Sequence, residues 1–194
     1  MNLLIHRDVL KPGVEATYRA IEEEAARICA ELKCPNPHLA IESVTPPTEV
    51  LWLTAFESEA EKQKIIDDYA ANQPLTAALA AIAKRREGLL TTDVDIFTVY
   101  RGDLCRGGSW NPAGARFVVV TMTKRDDRFE GSAFEAPDRT HFALRPFKTR
   151  GLAEAAAAAC GQEARVFAVR PYWGMPAKEW IAADPEFWQR ERNR

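Results

Sequence analysis

The chain opens on a short apolar run, Leu3-Leu4-Ile5 followed by Val9-Leu10, rich enough in branched residues for a strand over 2–10. Pro12-Gly13 ends it and opens a helix, because proline suits a first helical turn and cannot continue a ladder. Val14, Tyr18, Ile21, Ala25, Ile28 and Leu32 then recur in steps of four and three, one stripe of an amphipathic helix. Glu15, Glu22, Glu23, Glu24 and Arg27 take most of its other face. Pro35-Asn36-Pro37 stops that helix, 38–44 reads as a second strand, and Pro46-Pro47-Thr48 turns into a third over 49–56. Ser58 with Glu61 three residues on is a capping-box pattern for a helix reaching about residue 71. Asn72-Gln73-Pro74 restarts it in a new direction, with Leu75, Leu79 and Ile82 facing inward. Lys84-Arg85-Arg86 suit its C-terminal end, where the helix dipole favours cations, and Gly88 closes it. A fourth strand over 93–101 completes a β-α-β-β-α-β order, a ferredoxin-like unit spanning residues 1–101.

Residues 102–115 are rich in glycine and proline and read as a linker. Beyond it, 116–123 is a β-branched strand, and 132–136 with 141–147 form a hairpin around Pro137-Asp138-Arg139-Thr140. An alanine-rich helix over 149–160 ends at Gly161, and a strand over 165–171 leads to an aromatic tail with a short helix from Asp184-Pro185. This second half, 116–194, is a β-β-β-α-β echo of the first, a degenerate ferredoxin-like copy whose first helix has shrunk to 124–130. The fold class is therefore α+β.

Composition narrows the function classes. Hydrophobic content of 46% with 28% charged residues is that of a globular chain, and a net charge of −2 offers no basic field for a phosphate backbone. No nucleic acid is expected as a partner, and the basic run at 189–194 reads as a solvated terminus. No stretch approaches the roughly 18 apolar residues of a membrane span, and the N-terminal run is too short for a signal peptide. No membrane association is expected, and the expected compartment is cytoplasmic. Cys29, Cys34, Cys105 and Cys160 are scattered, with three histidines in the whole chain, so neither a metal nor any other cofactor is expected. Arg106-Gly107-Gly108-Ser109 lacks the phosphate-loop pattern, and neither a Gly-x-Ser-x-Gly elbow nor a His-Glu-x-x-His motif occurs.

Leu10-Lys11-Pro12-Gly13 before a long helix, then Trp52 within the run from Val50 to Ser58, resembles the dimeric α+β-barrel superfamily, which includes the antibiotic-biosynthesis monooxygenases. The resemblance covers residues 1–101. It implies two ferredoxin-like sheets packed face to face into a barrel, either from two chains as a homodimer or from the two halves of this one. It also implies a range of activities, cofactor-free oxygenation among them, so fold does not settle function.

Strand alternation sorts the side chains into two faces. Leu3, Ile5, Val9, Leu39, Ile41, Leu51, Leu53, Ala55, Phe97 and Val99 form an apolar set expected beneath the helices. The opposite, mixed face carries His6, Glu42, Trp52, Thr54 and, on the fourth strand, Ile96, Thr98 and Tyr100. Enclosed by a partner sheet, that face is expected to form a cavity for a small-molecule ligand. There His6 would carry a proton, Glu42 would orient it or act as a base, Trp52 and Thr54 would contact an aromatic ligand, and Tyr100 would donate its hydroxyl. The expected chemistry is that of a cofactor-free monooxygenase; the alternative is a non-catalytic ligand-binding or structural barrel. A rival site lies in the tail, where Trp173 sits within Arg170-Pro171-Tyr172-Trp173-Gly174-Met175-Pro176, with Trp180 and Trp188 beyond. Arg145, Arg165 and Arg170 would clamp an anion there if they converged.

Overall fold

A computed structural model describes residues 1–106, 110–125, 127–161 and 163–189. The glycine pair and serine at 107–109 and the basic end at 190–194 lie outside the described residues. The first half contributes β1 (Asn2–Leu10), α1 (Glu15–Glu31), β2 (Leu39–Ser43), β3 (Glu49–Phe56), α2 (Glu59–Ala71), α3 (Gln73–Arg86) and β4 (Leu90–Tyr100). The second contributes β5 (Cys105–Arg106), β6 (Phe117–Thr123), β7 (Phe129–Glu130), β8 (Ser132–Glu135), β9 (His141–Phe147), α4 (Arg150–Cys160), β10 (Ala164–Val169), α5 (Lys178–Ala183) and α6 (Pro185–Gln189). Segment 124–130 holds no described helix; β7 instead pairs in parallel with β5.

Eight strands close into one antiparallel barrel in the order β1-β3-β2-β10-β6-β9-β8-β4. Numbering the barrel strands one to four within each half, both halves run 4-1-3-2, the ferredoxin-like order. The seams are β2 against β10 and β4 against β8, so the barrel closes within the single chain. Closure leaves no open sheet edge, the physical gain that a lone four-stranded sheet lacks.

The interior is packed. Leu3, Ile5, Leu39, Ile41, Leu51 and Leu53 from the first half meet Val118, Val120, Phe134, Phe142, Leu144 and Phe167 from the second, all essentially inaccessible to water. Apart from Val9 and an exposed Ala55, which lie outside the interior cluster, most of the apolar set expected under the helices is thus the lining of the barrel. Its parity also differs on β4: Leu3 and Ile5 lie opposite Thr98 and Ile96, so those two residues point inward and Phe97 and Val99 outward, 40% and 59% exposed. One end of the same strand faces is polar: buried Glu49 accepts from Arg7 Nε at 2.6 Å and is also held by Arg165. The other side of the interior cluster is closed by Trp110 and by Trp188 of α6, whose indole N–H donates to the Ala113 carbonyl at 3.1 Å. The aromatic tail is, in this part, a strap that completes the core.

Helices cover the outer face. α4 lies on β6, β9 and β10, with Ala153 and Ala157 against Val119 and Val166. α1 and α3 pack on one another through Ile21, Ala25 and Ile82. On α1 the buried positions are Tyr18, Ile21, Glu22, Ala25 and Cys29. Glu22, expected on the solvated face, is turned inward.

Candidate functional site

Helices α1, α2 and α3 stand off the outer face of β1 and β3, and a cavity of about 410 Å³ lies between them. That volume is within the roughly 300–1,000 Å³ range of small-molecule sites. His6, Trp52 and Thr54 come from the strands, Glu22 and Cys29 from α1, Tyr69 from α2, Arg86 from α3, Asp95 from β4 and Trp173 from the tail. The His6, Trp52 and Thr54 part of the mixed face is therefore overlaid by helices and not by a partner sheet. The reason is steric: a barrel of eight strands fills its own centre with side chains, which leaves the polar face outside.

Of the residues singled out in the sequence, the structure brings His6, Trp52, Thr54 and Trp173 to this one cavity. Trp52 and Trp173 stack with ring centroids 6.4 Å apart, His38 tilts against Trp52 at 5.7 Å, and Tyr18 meets Trp173 edge-on. Trp173 is held there because the tail docks on the start of β2: the Met175 N–H donates to the His38 carbonyl at 3.1 Å and the His38 N–H returns the bond at 2.9 Å. Gly174 permits this approach, since a β-carbon there would run into the same carbonyl.

Glu42 and Tyr100 lie elsewhere. Glu42 is 1% exposed and accepts from Arg19 at 2.7 and 3.0 Å and from Arg170 Nε at 2.6 Å, so its oxygens are spent on fixing α1 and the tail to β2. Tyr100 stands at the end of β4 with its ring 5.5 Å from Phe134 and packs on the barrel interior. The three arginines do not converge: Arg145 lies over Phe147, Arg165 binds Glu49 and the Thr45 and Pro47 carbonyls, and Arg170 serves Glu42.

The polar end of the cavity is an ionic network that the sequence reading missed. β1 and β4 set His6 opposite Asp95 and Asp8 opposite Asp93. His6 Nδ1 lies 2.8 Å from Asp95 Oδ1, and its Nε2 lies 3.3 Å from Asp8 Oδ1 and 3.7 Å from Asp93 Oδ1. Burial lowers the affinity of the imidazole for its proton, but Asp8 and Asp95 outweigh this and push it up to about 9. Behind it, fully buried Asp8 accepts from the Tyr18 hydroxyl at 2.6 Å, and Arg86 Nη1 lies 3.1 Å from Glu22 and 3.5 Å from Asp8. Burial raises the Glu22 carboxyl, with Arg86 pulling the other way. The sequence carried one faint signal for this network, the spacing of two in both His6-Arg7-Asp8 and Asp93-Val94-Asp95, which puts each pair on one strand face.

A second cluster adjoins the cavity through Cys29, His38 and Tyr69. Cys34 Sγ lies 2.8 Å from the Tyr69 hydroxyl, and the Cys34 N–H donates to the Cys29 carbonyl at the end of α1. A hydrogen bond from the Cys29 thiol pulls the Cys34 thiol down to about 4 against the effect of burial, with His38 and Tyr69 adding to the pull. That same bond, with burial adding to it, pushes Cys29 up.

Among the described residues, the indole nitrogens of Trp52 and Trp173 are buried without a hydrogen-bond partner. A buried N–H left unpaired costs on the order of 1–3 kcal/mol, so two on one cavity wall is an unusual expense. No helix is long and apolar enough to cross a membrane among the described residues. Compared with protein-family models, with curated proteins and with solved structures, the chain matches none.

Proposed function

We propose that this chain binds a small aromatic molecule bearing an acceptor oxygen, such as a phenol, quinone or aromatic ketone, in the cavity between α1–α3 and the outer face of β1 and β3. The carrying observation is the pair of unpartnered indole N–H groups, Trp52 and Trp173, in the wall of a cavity of ligand size. A flat ligand would find aromatic surface in the two tryptophans and Tyr69, apolar surface in Leu79 and Ile82, and, once a small ring shift uncovers the buried indole N–H groups, donors for its oxygen. The polar end, with His6, Glu22 and Arg86, suits the charge that develops when such a compound loses a proton. That supports a cofactor-free, monooxygenase-like reaction on a phenol or an aromatic ketone with an activated CH2. The carbon loses a proton, its carbanion adds dioxygen, and loss of the second hydrogen with cleavage of the O–O bond leaves C=O and water, the substrate itself supplying all four electrons.

A second reading, binding without turnover, is favoured by one observation. The ionic groups already satisfy one another, His6 with Asp95 at 2.8 Å and Glu22 with Arg86 at 3.1 Å, which leaves them poorly placed to act on a substrate. A thermal-shift panel of phenols, quinones and aromatic ketones tests the site, with Ala26→Trp, which adds bulk to the cavity lining, as the control. At least one compound is expected to raise the melting temperature of the native chain and leave Ala26→Trp unmoved. Equal stabilisation of both would remove the cavity from consideration. Oxygen uptake with the stabilising compound then separates turnover from binding.

A further inference from the structure

The meeting of β1 and β4 holds an arrangement that ordinary sheet chemistry disfavours. Asp8 and Asp93 are directly opposed across the two strands, and like charges in that position destabilise a sheet. Asp8 is fully buried, and its Oδ1 has no hydrogen-bond partner among the described residues, although Oδ2 is held by Tyr18. That oxygen lies 3.3 Å from His6 Nε2, an ion-pair contact in which neither atom makes an aligned hydrogen bond. Asp93 Oδ1 closes the group at 3.7 Å from the same nitrogen, and all three ligand atoms lie within 4.8 Å of one another.

The His6–Asp8 separation of 3.3 Å is that of neighbouring ligand atoms around a tetrahedral ion, roughly 3.3–3.4 Å apart for bonds of about 2.0–2.1 Å. The exposed Asp93 side chain, at 3.7 Å, has room to close the small remaining gap. The surroundings complete the pattern. Asp95 accepts from the other ring nitrogen at 2.8 Å, which fixes the ring so that Nε2 faces the two aspartates, the carboxylate–histidine arrangement that orients metal-bound imidazoles. Tyr18 does the same for Asp8 through a 2.6 Å bond.

We infer that His6, Asp8 and Asp93 form a site for a first-row divalent cation, with Asp95 and Tyr18 as positioning residues. This goes beyond the proposed small-molecule site, and departs from the sequence expectation that no metal is bound. One nitrogen and two carboxylate oxygens leave a coordination position open for water or a ligand oxygen, as in catalytic and not in structural sites. Through His6 the ion borders the cavity; it takes the place of the Nε2 proton, which is released to solvent, and its charge offsets the opposed carboxylates.

Manganese is the discriminating probe, because carboxylate oxygens and water suit it and the Cys29–Cys34 thiols do not. The full chain, stripped with chelator, is titrated with Mn2+ and followed by the loss of the free-ion electron paramagnetic resonance signal. One ion per chain is expected. Asp93→Asn, at a side chain 48% exposed and so tolerant of change, is expected to weaken binding at least tenfold. Asp95→Asn, 60% exposed, is expected to weaken it about tenfold through loss of ring orientation, and Cys34→Ser to leave it unchanged. No binding at millimolar Mn2+, or binding indifferent to Asp93→Asn and Asp95→Asn, overturns the assignment; so does binding lost in Cys34→Ser. The titration uses no organic ligand, so its failure is distinct from failure of the small-molecule reading.

Discussion

Trp173→Ala is expected to be the most damaging single truncation near the cavity, costing about 3–5 kcal/mol of folding stability. The side chain is 1% exposed and joins four partners: Trp52 stacked beneath it, Tyr18 and Tyr172 edge-on, and the Arg170 guanidinium 5.6 Å above its ring. It belongs to no helix or strand, so its docking energy is what keeps the tail on β2. In a chain of this size each kcal/mol lowers the melting temperature by about 2–4 °C, so a fall of roughly 10 °C is expected. Urea denaturation checks it. A loss below about 1 kcal/mol would mean that the tail is only loosely attached and that Trp173 is not a fixed wall of the cavity.

Glu42→Gln is expected to cost about 2–4 kcal/mol while leaving ligand binding in the cavity intact. The carboxylate is 1% exposed, whereas its partners Arg19 and Arg170 are 47% and 30% exposed. Both arginines can regain water when the charge is removed, which holds the cost below that of a fully buried pair. The measurement is paired: urea denaturation, and binding of whichever aromatic compound stabilises the native chain. A residue that acts on the ligand would give the reverse result, with stability kept and binding or turnover lost. That reverse result would restore the catalytic role that the sequence expectation gave it.

Element order was largely legible because period and punctuation agree along most of the chain. The Val14-to-Leu32 stripe became α1, Asn72 caps α3 through a bond to the Leu75 N–H, and the 49–56 strand appears with those bounds as β3. The short terminal helix starting at Asp184-Pro185 appears as α6, whereas α5 and the small β5–β7 pair were harder, since each is short and held by tertiary contact. Which sheet face lines the barrel was not legible. Leu51 and Leu53 on one face and Val50 and Trp52 on the other are all apolar, and a strand covered on both sides loses the contrast that alternation reads. The phase of β4 was missed for the related reason that pairing register flips faces with a slip of one residue. Here the register against β1 shifts between Val9 and Leu10.

Half of the cavity was visible for a physical reason too. Trp52, Thr54 and His6 share strand faces that local alternation defines, and Trp173 declared itself through the cluster of aromatics around it. Glu22 and Arg86 did not, because each looks like an ordinary charge on a helix surface. Their burial comes from pairing with one another across α1 and α3, 64 residues apart in sequence. The Asp93–Asp95 partners of β1 were hidden in the same way, by a strand pairing that brings residue 6 to residue 95.

The central claim is that the ligand site lies beneath the helices and not inside the barrel. The five tryptophans divide along that line, Trp52 and Trp173 on the cavity, Trp110 and Trp188 in the interior cluster with Trp180 packed against it. Indole N–H resonances in a proton–nitrogen correlation spectrum read each of them separately during titration with a stabilising aromatic compound. Shifts confined to Trp52 and Trp173 are the expected result. Shifts at Trp110 and Trp188 with the other pair unmoved would place the ligand inside the barrel and contradict the account.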